Sequence, residues 1–387
     1  MVVNFEFLGN EPIENVITCM NFQCDKTVFF GYNEVIQKYR DTTVNFLKKY
    51  CGVQQVVFHA LSHNNLQSIL KTMRKEIEYE LVQNNEIYFD VTGGESLILI
   101  AFGIISTEFD APMHLYDIVR NELIELDEGA KREISRNVPA QKVKLDIDRY
   151  IELKGGVINY NLQSDLKDIA DEEFENDVAN MWQVAKKFGQ YWNPFSEFLR
   201  NYMIPDVNLY VSKNASYIVS LLMQSESKLK TPAKLNEILD DLADAGLLTG
   251  VQHANGRYAF RFKNQNIKDC IWEGGSILEL HTFQKERKIS DDCKVGVHID
   301  WDGKIHYQAG MDVLNEVDVM SLTGNIPTFI SCKTGKMGSN QTLHALYELE
   351  TVTRRFGGKY AKKVLVTAQP LGDIYLERAE ELGIEVR

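Results

Sequence analysis

In the stretch Asn315-Glu-Val-Asp-Val-Met320 two carboxylates stand two residues apart, and in Thr328-Phe-Ile-Ser-Cys-Lys-Thr-Gly335 a serine and a lysine do the same. Strand side chains alternate with period two. Glu316 and Asp318 therefore share one face of a first strand, and Ser331 and Lys333 one face of a second. Apolar Val317, Val319, Phe329 and Ile330 suit burial between them. An acidic pair beside a lysine on neighbouring strands is the equipment of metal-assisted phosphodiester cleavage. The carboxylates hold a divalent cation, and the lysine steadies the attacking water or the charge developing on the phosphate.

Elements that position these groups can be read on either side. A helix carrying Trp272-Glu-Gly-Gly-Ser-Ile-Leu-Glu-Leu280 presents Glu279, although Glu273 with Gly274-Gly275 also suits a tight turn before it. Strands are expected at 295–299, 304–308, 316–322 and 327–332, then a helix over 340–356, a strand over 363–367 and a helix over 373–382. Gln341 and His344 lie one turn apart at the opening of the 340–356 helix, on a side that can face the cleft; His344 reads first as an ordinary surface histidine. His281, two residues after Glu279, points elsewhere.

Upstream, residues 1–145 alternate short apolar strands (5–8, 27–30, 53–58, 86–90) with helical segments (12–20, 41–50, 65–82 and one from Ser96). That alternation predicts a parallel, doubly wound sheet, whose ligands bind at the C-terminal ends of strands. Two special loops lie there, Leu8-Gly-Asn-Glu11 and Asp90-Val-Thr-Gly-Gly-Glu-Ser96. The second is a strand, a glycine turn and a helix start, where free backbone N–H groups favour an anion. It lacks the glycine and lysine spacing of a nucleotide phosphate loop and the Gly-x-Gly-x-x-Gly of dinucleotide binding.

Residues 150–262 are mainly helical. Thr231 is a candidate N-cap with Pro232 at the first helical position; Leu235, Ile238, Leu239 and Leu242 form one apolar face, and Gly246 ends the helix. Asn255-Gly256 then marks a hairpin. This is a winged-helix-like order, read either as nucleic-acid contact or as a spacer or dimerisation module.

A net charge of −13 argues against a protein coated in nucleic acid, yet residues 267–387 carry 15 Lys and Arg against 18 Asp and Glu, so most acidity lies upstream. Arg354, Arg355, Lys359, Lys362 and Lys363 cluster there, as a phosphate contact or a solvated helix end. No apolar run reaches membrane length, no signal peptide opens the chain, and the six scattered cysteines read as reduced thiols; a cytoplasmic location is expected.

The order helical Glu, strand Asp, x-x-Lys strand, helix resembles the PD-(D/E)xK nuclease superfamily. Glu279 matches its helical glutamate, Asp318 its strand aspartate and Lys333 its lysine, with Glu279 and Asp318 as metal ligands. Ser331 departs from the usual acidic residue. Either Glu316 supplies the missing carboxylate or the metal is held through water and backbone carbonyls. The first zone resembles a CARF domain, the cyclic-oligoadenylate sensor of type III CRISPR systems, with Leu8, Gly9, Asn10, Glu11, Asp90, Thr92, Gly93, Gly94, Glu95 and Ser96 matching its ligand loops. The whole order, CARF domain, winged-helix-like segment and mixed-sheet restriction-endonuclease-like domain (266–387), resembles CARF-fused nucleases activated by cyclic tetra-adenylate. The resemblance implies a homodimer, Mn²⁺ or Mg²⁺, and cleavage of RNA or DNA, single-stranded or duplex. Alternatives are a ligand-responsive transcription regulator with an inactive nuclease fold, and a ring nuclease that degrades its own activator.

Overall fold

The computed structural model describes the chain apart from residues 128, 130, 139–141, 163–165, 167–168, 225–227 and 306–313. Three sheets organise it. The first contains β1 (Val2–Phe7), β2 (Lys26–Gly31), β3 (Gln55–Ala60), β4 (Glu86–Asp90), β5 (Met113–Asp117), β6 (Glu122–Leu126) and β7 (Glu133–Asn137), in the order β3-β2-β1-β4-β5-β6-β7. The pairings from β3 through β5 are parallel, as the strand–helix alternation predicts, and β1 and β4 lie side by side where the strand order reverses. After β5 the chain departs from that expectation: β6 and β7 add antiparallel, because the short turn at 118–121 returns the chain directly rather than through a crossover helix.

The helices between these strands are α1 (Ile17–Asn21), α2 (Asn33–Phe46), α3 (Leu66–Val82) and α4 (Ser96–Phe109). Asn65 caps α3 by accepting the Ser68 N–H. Two expectations are corrected. The helix expected over 12–20 covers only its last turn, since the Asn15 side chain bonds both Gly9 N and Gly9 O and folds 9–15 into a closed loop. The helix expected over 41–50 starts at Asn33 and ends in a π-helical turn, Leu47–Cys51, capped by left-handed Gly52.

Next come α5 (Ile147–Leu153), β8 (Val157–Ile158), α6 (Glu172–Phe188), α7 (Trp192–Tyr202), β9 (Tyr210–Asn214), α8 (Ala215–Gln224), α9 (Pro232–Asp244), β10 (Leu248–Gln252) and β11 (Arg257–Phe262). β9, β10 and β11 form a small antiparallel sheet, with Asn255 and Gly256 at positive φ in the turn between β10 and β11. Thr231 caps α9, whose Leu235, Ile238, Leu239 and Leu242 are buried.

The third sheet, β16-β15-β14-β13-β12-β8, contains β12 (Asp292–Asp300), β13 (Leu314–Thr323), β14 (Ile326–Lys333), β15 (Lys362–Thr367) and β16 (Ile384–Val386). Its helices are α10 (Gln265–Trp272), α11 (Ser276–Glu286), α12 (Ser339–Phe356) and α13 (Asp373–Glu381). The strand expected over 304–308 is not formed at 304–305, and its remainder lies outside the described residues. The Gly274-Gly275 pair breaks the expected helix into α10 and α11, so the turn reading is the one the fold adopts.

The cores cross these boundaries. Apolar residues of the first sheet, of α5, and of β12–β14 and α12 form one continuous cluster that includes Phe5, Tyr150, Val297, Phe329 and Phe356. Helix α11 serves two other cores: Ile277 and Leu280 pack with α6, α7 and α9, while Leu278 and Phe283 pack with Val319, Ile330 and Val364 of the sheet.

Candidate active site and loops of the first sheet

The β13–β14 ladder pairs Thr323 with Ile326 up to Val319 with Ile330. Beyond that point the Cys332 N–H goes to the Asp318 carboxylate at 2.5 Å. A side chain thus takes the place of a ladder carbonyl, and Asp318, Ser331 and Lys333 line one small cavity of about 110 Å³ together with Glu316 and Glu348. Lys333 Nζ lies 3.7 Å from Asp318 Oδ2. Ser331 Oγ donates to the same oxygen at 3.2 Å. The serine that departs from the superfamily pattern therefore orients the aspartate.

Glu279 enters from the first turn of α11. Burial, with the charges of Asp318 and Glu316 added and Lys333 opposing, lifts its carboxyl to about 8. The fold thus brings Glu279, Asp318, Glu316 and Lys333 into one electrostatic neighbourhood. Glu316 is the outermost, with its side chain 56% exposed and 4.0 Å from His298 across the strand pair. Among the described residues no three acidic, His or Cys side chains already converge as a ligand cage.

Beside the fork runs a groove of about 570 Å³, lined by Lys333, Lys336, Asn340, Gln341, His344 and Glu348 among others. Gln341 is partly engaged: its Oε1 accepts the Gly338 N–H at 3.0 Å and closes the start of α12. His344 faces Glu348 at 3.7 Å and is mostly exposed. His281 stacks on Trp182 instead, and burial pushes its imidazole down to about 4.

Sequence reasoning missed Asn193, whose Nδ2 reaches Thr334 Oγ1 at 3.3 Å from a helix 141 residues away. Its neighbourhood also holds the Gly274 turn: Trp192 Nε1 donates to Gly274 O, and a Cβ on Gly274 would sit 2.4 Å from Ser196 Oγ. Gly274→Ala should cost roughly 1–3 kcal/mol of stability by overpacking. Thermal melting checks this, and Ser196→Gly in the same chain should restore most of the loss.

In the first sheet, Leu8 and Asp90 are buried and build the two loops from beneath. Asp90 Oδ1 accepts the Thr92 N–H, and Thr92 Oγ1 accepts the Tyr116 N–H. Asn10, Gly94, Glu95 and Ser96 reach the surface. Gly94 has φ +141°, which favours glycine, and a Cβ on Gly93 would press on Glu14 at 3.0 Å.

Glu11 is turned inward. Its carboxylate pairs with buried Lys154 and accepts the Lys359 N–H at 2.9 Å. Next to it Glu14 accepts from Tyr360 Oη at 2.5 Å and pairs with Lys359 Nζ at 2.6 Å. Gly358, with φ +72°, sits against the Glu11–Lys154 pair where a Cβ would clash. Arg355 donates to the Lys154 and Trp301 carbonyls, and Lys363 pairs with Glu350. Three members of the basic cluster are thus spent within the chain, and one of them, Lys359, joins the 9–15 loop to the segment after α12. No described helix is long and apolar enough to cross a membrane.

Residues 269–387 match the family described as Card1-like, endonuclease domain. No curated protein matches the chain. Among solved structures, protein VC1899 from Vibrio cholerae aligns over 100% of this chain and 93% of its own, with a TM-score of 0.68 at 18% identity. Can2 from Sulfobacillus thermosulfidooxidans, solved in complex with cyclic tetra-adenylate, aligns over 100% of this chain and 95% of its own, with a TM-score of 0.68 at 14% identity. These agree with the resemblance read from the sequence: residues 269–387 are similar to Card1-like endonuclease domains, on a whole-chain fold shared with VC1899 and Can2.

Proposed function

We propose that the chain is a homodimeric, metal-dependent endonuclease of type III CRISPR defence, switched on by cyclic tetra-adenylate. The observation that carries this reading is the physical join between a sensor loop and a nuclease domain: Glu14, beside Gly93, is held by Lys359 and Tyr360 just past α12, and Glu11 by the Lys359 N–H and by Lys154 at the end of α5. The same helix carries Glu348, Leu349 and Val352 alongside Asp318 and Lys333. A ligand that prefers one arrangement of the loops therefore has a packed path to the fork.

The donor set fits a hard divalent cation. Glu279, Asp318 and Glu316 offer oxygen only, and a cation there would offset the burial, and the charges of Asp318 and Glu316, that lift Glu279. When bound, Mn²⁺ or Mg²⁺ supplies positive charge to the scissile phosphate and acidifies water. The chain's own part is to hold Asp318 through Ser331 and the Cys332 N–H, and to place the Lys333 ammonium beside the reacting phosphate. Lys336 and His344 on the adjoining groove offer positive charge and a hydrogen-bonding ring to the strand being cut.

Dimer formation is supported by α4, which leaves Leu99 (38% exposed) and Ile100 (53% exposed) uncovered directly after the sensor loop. A two-fold pair there suits a ring ligand of matching symmetry. In the central segment the exposed face of α9 presents Glu237, Asp240 and Asp244, which repel phosphate.

The test is incubation of labelled single-stranded RNA, single-stranded DNA and supercoiled plasmid in Mn²⁺, with and without cyclic tetra-adenylate. Cutting is expected only with ligand and metal together, and chelation by EDTA should abolish it. Ligand-independent cutting would remove the sensor from the reading. Ligand binding without cutting of any substrate would turn it into a regulator.

A further inference from the structure

Beside the sensor loop the fold assembles residues that neither loop contains. Tyr32 follows β2, and His63 follows β3, so both lie at the C-terminal ends of the parallel strands with Glu95. Tyr32 is buried against Phe7 and donates its hydroxyl to Glu95 Oε2 at 3.2 Å. The His63 ring stacks on Tyr32 with centroids 3.8 Å apart and planes 21° from parallel. His63 Nε2 and Glu34 Oε1 lie 2.9 Å apart, which fixes the ring in its plane. Tyr32 covers one face of the imidazole, and 55% of the His63 side chain stays open to solvent.

Resting on the cyclic-oligoadenylate reading above, we infer that Tyr32 and His63 form a stacking platform for one purine base of the activator, with Glu34 and Glu95 accepting from its exocyclic amino group. The charge pattern selects a base over a phosphate. The two side chains that touch the platform are carboxylates, which repel an anion and accept N–H donors. Phosphate has its own place along the Gly93–Ser96 backbone at the start of α4. Base and phosphate thus fall on different sides of Glu95. A flat aromatic ring already fixed by a stacked tyrosine and a carboxylate loses little freedom when a base lands on it.

Titration calorimetry of the full chain with cyclic tetra-adenylate tests the platform. His63→Ala should weaken binding roughly tenfold or more, the loss expected for one base–aromatic stack. His63→Phe, which keeps the flat ring, should recover most of it. Cyclic tetra-inosinate, which carries a carbonyl in place of the amino group, should bind the wild-type chain more weakly than cyclic tetra-adenylate. Wild-type affinity in His63→Ala, or equal affinity for both rings, overturns the platform while leaving the activated-nuclease reading in place. Failure of the wild-type chain to bind cyclic tetra-adenylate overturns both.

Discussion

Lys333→Ala should cut its nucleic-acid substrate about 100- to 1000-fold more slowly than the wild-type chain, the loss typical of removing one preorganised charge from a developing oxyanion. The argument rests on position. Lys333 closes the fork between β13 and β14, 3.7 Å from the carboxylate that Ser331 and the Cys332 N–H orient. Its side chain is one-third exposed, so the folded state loses little with it. Affinity for cyclic tetra-adenylate should be unchanged, because among the described residues Lys333 faces Asp318 and the lining of the cleft, away from the 8–11 and 90–96 loops. A single-turnover cleavage assay beside a binding titration separates the two effects. Cleavage within a few-fold of wild type would remove Lys333 from the chemistry and leave the fork without its cation.

Lys154→Met should lower stability by about 3–5 kcal/mol, the usual result of leaving one partner of a buried ion pair alone. Lys154 and Glu11 are each only 7% exposed. Burial pulls the Lys154 ammonium below the usual lysine range, and Glu11 opposes that shift. Removing the cation strands Glu11 with the Lys359 N–H as its remaining described support. Replacing both partners, Glu11→Leu with Lys154→Met, should recover most of the melting temperature. It should not recover the response to ligand: stimulation of cleavage by cyclic tetra-adenylate should fall roughly fivefold or more, within the range of ordinary coupling energies. A single variant that melts like wild type would show that the pair bears no weight, and a double variant with full stimulation would show that the signal travels elsewhere.

The strands and the fork were legible in the sequence because they are local. Period-two alternation phases Glu316 with Asp318 and Ser331 with Lys333, and two residues of spacing survive any error in strand ends. Thr231-Pro232 and Asn255-Gly256 likewise announce a cap and a turn through their own backbone preferences. What could not be read was pairing across the chain. Glu11 meets Lys154 over 143 residues and the Lys359 N–H over 348. From the sequence Glu11 is a loop carboxylate near a ligand site, and the basic run at 354–363 a phosphate contact or a solvated helix end. The join takes Glu11 and, from the basic run, Lys359. The antiparallel β6 and β7 are a milder case, since a doubly wound pattern sets the parallel strands without limiting what is appended at the edge.

Helix α11 has a consequence for how the enzyme comes into being. Its Glu279 stands between Leu278, which belongs to the sheet, and Leu280, which belongs to the central helices. Leu280 finds its place with the central helices, and Leu278 only once the sheet exists. Chains grow from the N-terminus, and the strands bearing Asp318 and Lys333 leave the ribosome after the sensor and the central helices. A half-made or clipped chain therefore holds carboxylates but no assembled blade. The shared helix thus acts as a completion check: Glu279 meets the strands of Asp318 and Lys333 only once the central helices and the sheet are both in place.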